Sequence, residues 1–348
     1  MDKLKLLLWP FAALYGGVTA LRNTAYNKGW FASRKFELPI IAVGNLTVGG
    51  TGKTPHVEYL LRLLRNYKVA ALSRGYKRTT KGYILADETA TAATIGDEPY
   101  QYHKDFPDVQ VAVSEKRVAG VEQLLQLPMP PEVIVLDDAM QHRAIQPSLN
   151  LLLTDYNRLF YKDRILPAGL LRESRKGARR ADAVLVTKCP ASLHEGEMQH
   201  IARMIHTYSR RSAPVFFTGF RYGQFVQVGR PAHIGTHVVL LTGIANPAPL
   251  KAHLQKHNFK IHKHLQYPDH YSYKPADLAA LKQQLQEYPP ETVVLTTRKD
   301  AVKLLDAGLQ ELVSPLPVFS VPIEVYFLEG GDTFNELILQ HVRSYYKL

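Results

Sequence analysis

Residues 47–54 read Thr47-Val48-Gly49-Gly50-Thr51-Gly52-Lys53-Thr54 and follow the apolar run Leu38-Pro39-Ile40-Ile41-Ala42-Val43. A strand that runs into a glycine-rich turn ending in Gly-Lys-Thr is the layout of a nucleotide phosphate-binding loop. The glycines let backbone N–H groups converge on oxyanions that a side chain would hold off. Lys53 brings a positive charge to the β- and γ-phosphates, and Thr54 a hydroxyl for Mg2+. The helix expected from about Pro55 to Leu64 adds the positive end of its dipole. The usual pattern opens with Gly where this chain has Thr47. An ordinary glycine-rich turn is the plain alternative, and the strand–loop–helix context speaks against it. The chain is expected to bind a nucleoside triphosphate through residues 47–54.

Short β-branched runs alternate with helical patterns on both sides of this loop. Strands are expected at Leu38–Val43, Val69–Leu72, Val109–Val113, Val133–Leu136, Asn150–Leu153, Ala183–Val186 and Pro214–Phe217. Several are wholly apolar, as in parallel strands covered on both faces. Helices fit Pro55–Leu64 and Arg117–Leu125. The pattern is that of an α/β doubly wound sheet. After about residue 225 the rhythm restarts, with strands at Val238–Leu241, Phe259–His264 and Thr292–Thr296. Helices are expected near Pro275–Glu287 and Phe334–Tyr346. The expected organisation is an N-terminal helix over 1–30, a P-loop core over 31–228 and a smaller α/β domain over 229–348.

With 348 residues, 46% hydrophobic and 21% charged, the chain can build more than one core. The single cysteine, Cys189, excludes an intramolecular disulfide framework and any multi-cysteine zinc site. A formal charge of +12 asks for an acidic partner. No helix-turn-helix, zinc-finger or RNP-like signature supports nucleic acid. The N-terminus offers Lys3 and Lys5, then an apolar stretch from Leu6 to Leu21 with Trp9, Phe11 and Tyr15, closed by Arg22. It falls short of the roughly 20 residues that span a bilayer, and Pro10, Gly16 and Gly17 interrupt it. Export of an ATP-using loop argues against a signal peptide. A core-docking helix and an in-plane membrane helix with cationic flanks remain, the latter preferred.

Several strand ends carry further chemistry. The strand Val133–Leu136 ends in Asp137 and Asp138, where phosphate-loop enzymes place the Asp that holds Mg2+. Gly96-Asp97-Glu98-Pro99 is a polar turn whose plain reading is a helix start capped by Asp97. A kinase, however, needs a carboxylate near its acceptor hydroxyl. Leu72–Arg78 ends a strand with Arg74, Tyr76, Lys77 and Arg78, an anion-binding loop by its place in such sheets. Pro268-Asp269-His270-Tyr271 and Thr297–Lys303 remain undecided between turn, cap and site.

Together these segments resemble one known family, the tetraacyldisaccharide 4'-kinases of lipid A biosynthesis. The resemblance is carried by Val43-Gly44-Asn45 with Thr47–Pro55, Leu72–Arg78, Gly96–Pro99 and Asp137–Arg143. It continues through Leu166–Glu173, Thr242–Pro247, Pro268–Tyr271 and Lys299–Lys303. Thr47 in place of the first Gly is usual there. Ala139-Met140 stands where Gly-Phe is common, and Arg298 where Glu is common. The resemblance implies ATP- and Mg2+-dependent phosphorylation of a tetraacylated disaccharide 1-phosphate lipid at the cytoplasmic face of the inner membrane. It implies Asp97 as catalytic carboxylate with His270 as partner, Lys53 at the phosphates, and Asp137 and Asp138 with Thr54 at the metal. Arg74, Tyr76, Arg117, Gln141, His142 and Glu173 resemble positions near the lipid headgroup. Neither nucleic acid nor an obligate protein partner is implied. A P-loop NTPase switch acting on a protein would use the same loop and acids, without an acyl-lipid acceptor.

Overall fold

The computed structural model describes residues 8–346. Fourteen strands form the two sheets: β1 (Ile40–Asn45), β2 (Val69–Ser73), β3 (Ile84–Leu85), β4 (Gln110–Val113), β5 (Val133–Asp137), β6 (Leu149–Asp155), β7 (Ala183–Thr187), β8 (Val215–Tyr222), β9 (Val226–Gln227), β10 (His237–Thr242), β11 (Lys260–Gln266), β12 (Val293–Thr297), β13 (Val318–Val321) and β14 (Ile323–Phe327). The nine-stranded sheet runs β14-β8-β7-β6-β1-β5-β2-β4-β3 and the five-stranded sheet β11-β10-β12-β13-β9. In the large sheet only the edge strands β14 and β3 pair antiparallel. Its central strands are buried along both faces, which is why their sequences are apolar throughout.

Strand β1 lies at the middle, between β6 and β5. Its partner register sets Val43 opposite Asp137, so the acids that end β5 emerge beside the phosphate-loop segment. The helix Lys53–Leu63 follows that segment and packs Val57, Leu60 and Leu61 onto the sheet with Ile41, Val43 and Val135. Ligand-binding loops thus gather at the carboxyl edge, as the doubly wound pattern requires.

The C-terminal boundary differs from expectation. The small sheet ends with β13, after which β14 pairs with β8 and the helix Gly331–Arg343 packs Phe334, Ile338 and Val342 into the core around β1. Residues 323–343 therefore belong to the large domain. An apolar face at this helix's spacing needs a core to cover it, and the first sheet supplies one. At the other end β9 already belongs to the small sheet, so the smaller domain begins before residue 229.

The N-terminal helix runs over Trp9–Asn27, within the expected span 1–30 and beyond the apolar stretch that Arg22 closes; residues 1–7, including Lys3 and Lys5, lie outside the described residues. It buries only Ala12 and Ala25, while Trp9, Phe11, Leu14, Val18 and Leu21 are each more than 60% exposed. Polar bonds hold it to the body. The Tyr15 hydroxyl donates to the Arg172 carbonyl at 3.0 Å, and Asn23 Nδ2 to Glu173 Oε2 at 2.7 Å. No helix among the described residues is long and apolar enough to cross a membrane.

If the C-terminal helix closes the nucleotide-binding core, Phe334→Ala should cost about 3–5 kcal/mol of unfolding free energy. Denaturant titration checks this, and a loss below about 1 kcal/mol would show that the helix is an appendage.

Candidate active site

Main-chain strain shapes the loop after β1. Gly52 sits at φ 85°, and a Cβ there would lie 2.5 Å from Phe220 Cζ. Only glycine fits both the left-handed backbone and the close ring. Outside donors then capture the loop's carbonyls. Arg158 Nη2 donates to Val48 O at 3.1 Å, Lys188 Nζ to Gly50 O at 2.5 Å and Thr187 Oγ1 to Thr51 O at 2.8 Å. Asn45 Nδ2 donates to Thr51 Oγ1 at 2.8 Å. With carbonyls turned out, amides of the turn and of the first helical residues are left to face an anion.

Two of the eight loop residues do something else. Val48 N–H donates to Leu170 O at 2.8 Å, and Thr47 bridges to Leu171. They pin the loop to the segment 170–172 rather than cradle a phosphate. The Thr51 amide is likewise taken, by Gly49 O at 3.0 Å.

Lys53 Nζ lies 3.5 Å from Asp138 Oδ1, and Arg172 Nη1 lies 3.0 Å from Asp138 Oδ2. Burial alone would raise the Asp138 pKa, but Lys53 and Arg172 outweigh it and hold the carboxyl below its usual range. Asp137 behaves oppositely. Its burial pushes the pKa up to about 6, offset in part by Lys53. Asp137 Oδ2 accepts from the Tyr102 hydroxyl at 3.3 Å, while buried Oδ1 has no hydrogen-bond partner among the described residues. An orphaned buried carboxylate oxygen is costly, and a hard cation would satisfy it.

The helix Asp97–Asp105 begins at Gly96, φ 95°, where a Cβ would crowd Tyr76 O and Gly75 at 3.1–3.2 Å. Gly96, not Asp97, takes the cap position. Asp97 is the first helical residue, and its carboxylate is free to turn toward the second domain. Asp97 Oδ2 lies 2.8 Å from His270 Nδ1, 3.1 Å from Lys303 Nζ and 3.8 Å from Lys299 Nζ. Burial opposes ionisation, yet His270, Lys303 and Lys299 together bring the pKa down to about 2. Among the described residues Glu98 pairs with Lys299 alone, at 3.6 Å. The geometry separates these two acids where the sequence could not. Lys299 and Lys303, undecided in the sequence, stand at i, i+4 on the helix Arg298–Leu304; that spacing puts both ammoniums on one face.

The remaining candidates divide. Arg74 and Tyr76 are exposed, Tyr76 edge-on to His270 with ring centroids 5.8 Å apart. His142 lines a cavity of about 450 Å3 with Arg117, and burial lowers its pKa to about 4. Gln141 bonds Asn45 O at 2.8 Å and Glu173 Oε1 at 3.1 Å. Three calls need correction. Arg117 is 2% exposed and spends its guanidinium on the carbonyls of Ser114 and Asp137, bracing the end of β5. Glu173 is saturated by Arg180, Asn23 and Gln141, an interior network and not a headgroup contact. Arg78, taken with the anion-binding run, is held through Nη2 by Glu115 and Gly82 O, both at 2.6 Å, while its buried Nε and Nη1 have no partner among the described residues.

These features define a P-loop kinase: a doubly wound domain carries the phosphate loop, and a second, smaller α/β domain brings His270 and Lys303 against Asp97. A family model described as Tetraacyldisaccharide-1-P 4'-kinase matches residues 4–343. Tetraacyldisaccharide 4'-kinase of Flavobacterium psychrophilum is 43% identical over 350 residues, covering 99% of this chain and 98% of that one. The protein of the same name from Bacteroides thetaiotaomicron is 42% identical, covering 97% of this chain and 93% of its own. A crystal structure of the "apo" form of LpxK from Aquifex aeolicus in complex with ATP matches with a TM-score of 0.76 at 32% identity, over 97% of this chain and 99% of that one. The chain belongs to the tetraacyldisaccharide 4'-kinase family.

His56, in the first turn after the loop, tests the electrostatics of this region. Nδ1–H donates to Gly52 O at 2.7 Å and Nε2 faces Thr218 Oγ1 at 3.0 Å. Burial lowers its pKa from 6.5 to about 4, the Gly52 bond opposing weakly. The unfolded chain takes up the proton first, so stability should fall as pH drops from 6.5 toward 4, by on the order of 3 kcal/mol. Buried Glu58, whose pKa is raised to about 7, contributes the opposite slope. The measurement is therefore the difference between wild type and His56→Gln in denaturant titrations across this range. A pH-independent difference would rule the assignment out.

Proposed function

We propose that this kinase of lipid A biosynthesis, which phosphorylates the 4'-hydroxyl of tetraacyldisaccharide 1-phosphate to form lipid IVA, does so with Asp97 as the carboxylate that receives the acceptor proton. The observation that carries this reading is the 2.8 Å bond between Asp97 and His270, residues contributed by different domains. Phosphoryl transfer through a loose transition state needs alignment and charge neutralisation more than a strong base. A carboxylate as weakly basic as Asp97 suits that: it orients the hydroxyl and takes its proton late. His270 supports its orientation, with Tyr76 against the His270 ring.

ATP occupies the loop between β1 and the helix Lys53–Leu63, with Lys53 on the outer phosphates. Thr54 and Asp137, both against the Tyr102 phenol, would hold Mg2+, with Asp138 beside them. When bound, Mg2+ neutralises charge on the triphosphate. Among the described residues no three His, Cys, Asp or Glu side chains converge on a metal. That donor set agrees with Mg2+, which takes one or two carboxylates and otherwise waters and phosphates. Arg74, Gln141 and His142 face the headgroup, with the 1-phosphate matched to the basic surface. Arg172 reaches the same edge through Asp138 and Gln141.

The N-terminal helix lies in the cytoplasmic face of the inner membrane. Phe11, Leu14, Val18 and Leu21, all exposed, supply the apolar face, with exposed Trp9 at the helix start, and Arg22 and Lys28 the cationic border. A helix of 19 residues anchored this way brings the site to the lipid without spanning the bilayer.

Lys53→Ala should lower kcat by about a hundred- to a thousandfold, and Asp97→Asn by about a hundredfold or more, in γ-phosphate transfer to the tetraacylated acceptor. Near wild-type turnover in either folded variant removes its assigned role. ATP hydrolysis that ignores the lipid and rises with a protein partner would favour the switch reading. Replacing Leu14 and Val18 together by Asp should weaken flotation with anionic liposomes at least about a hundredfold; unchanged partitioning sinks the membrane assignment.

A further inference from the structure

The helix Asp97–Asp105 is gripped at both ends by a single short helix of the second domain. Lys299 and Lys303 reach Asp97 at its first residue. Arg298, the first residue of the same helix Arg298–Leu304, reaches Asp105 at the other end. Arg298 Nε donates to Asp105 Oδ1 at 2.8 Å and to Oδ2 at 3.0 Å, and Nη2 also bonds Oδ1. Both side chains are largely covered, 19% and 17% exposed. Between the two grips Val302 is buried against Ile95, Tyr100 and Val113.

The middle of the gripped helix is tied to the nucleotide side instead. Gln101 Nε2 donates to Glu58 Oε1 at 2.5 Å, on the helix that follows the phosphate loop, and Tyr102 bonds Asp137. Helix Asp97–Asp105 thus touches both halves of the chemistry. The two ends of the grip differ in kind. An ammonium is a point charge that tolerates rotation, whereas a guanidinium fork fixes angle as well as distance. Lys299 and Lys303 therefore supply charge at Asp97, and the far end supplies the orientation.

We propose that Arg298 and Asp105 are a positioning pair for phosphoryl transfer: they touch neither nucleotide nor lipid, and they set the angle at which the second domain presents His270, Lys299 and Lys303 to Asp97. The inference rests on the reading that Asp97 serves the acceptor hydroxyl. A tilt of the helix Arg298–Leu304 displaces the groups at Asp97 while leaving the triphosphate's loop, on the opposite side, in place. The pair is accordingly a determinant of kcat and not of ATP affinity.

The test uses the full-length enzyme with ATP and tetraacyldisaccharide 1-phosphate in mixed micelles. Arg298→Gln and Asp105→Asn should each lower kcat about tenfold and leave KM for ATP within about twofold, with thermal midpoints close to wild type. Arg298→Lys, which keeps the charge and loses the fork, should fall between. The double variant should be no slower than either single one, because both remove the same interaction. Single-turnover measurement in an Asp97→Asn background should show no further loss from Arg298→Gln. Wild-type kcat in the folded Arg298 and Asp105 variants overturns the pair while leaving Asp97 in its role. Wild-type kcat in Asp97→Asn overturns the underlying reading instead. Losses that multiply in the double variant, or that track the fraction unfolded at the assay temperature, reduce the pair to ordinary domain packing and overturn the proposal.

Discussion

The carboxylate of Asp97 joins the two domains at the candidate site. It sits at the start of a helix built into the nucleotide domain, yet its imidazole and both ammoniums come from the other domain. Burial makes an uncompensated charge there expensive. The second domain must therefore dock in one place, with His270 and Lys303 against the acid, or leave a half-buried anion unpaired. The same docking covers Val302 and engages Asp105, so apolar and polar demands agree. Site assembly and domain association are in this sense one event.

The phosphate loop follows a complementary logic. Its carbonyls are drawn outward by Arg158, Lys188 and Thr187, three donors from the neighbouring strand ends of β6 and β7. Anion binding by amides demands that the opposing dipoles be turned away and satisfied. Lys188 shows how this is held without a net local charge excess, since Asp155 pairs with it at 2.7 Å. Lys188 is thereby neutralised, and Lys53 keeps its own partner, Asp138.

Elements whose identity is set by local pattern were legible in the sequence. Wholly apolar Val133–Leu136 could be little else than a central strand, and Arg117–Leu125 is the helix its spacing describes. The phosphate loop was legible because glycine position and Lys-Thr encode backbone geometry directly. Tertiary choices were not. Whether the helix near Phe334 covers the small sheet or the large one depends on which core offers a gap, and β14 decides that by pairing back to β8. Glu173 and Arg78 look like chemistry in one dimension, because a charge run does not say which members will find partners inside. The polar turn at Asp97 was legible in the residues, but its role came only from family likeness; its neighbours Lys299 and Lys303, some two hundred positions on, had no local signal beyond their i, i+4 spacing.

The return of the chain through β14 has a mechanical consequence. The small domain is joined by two connections that run side by side: Tyr222 pairs with Ile323, and Gly223 N–H bonds Pro322 O at 3.0 Å. A body suspended from one tether can swivel in any direction. One suspended from a laced pair of strands is restricted to bending about a single axis, like a door on its hinge, so the backbone itself narrows the positions His270 can take relative to Asp97.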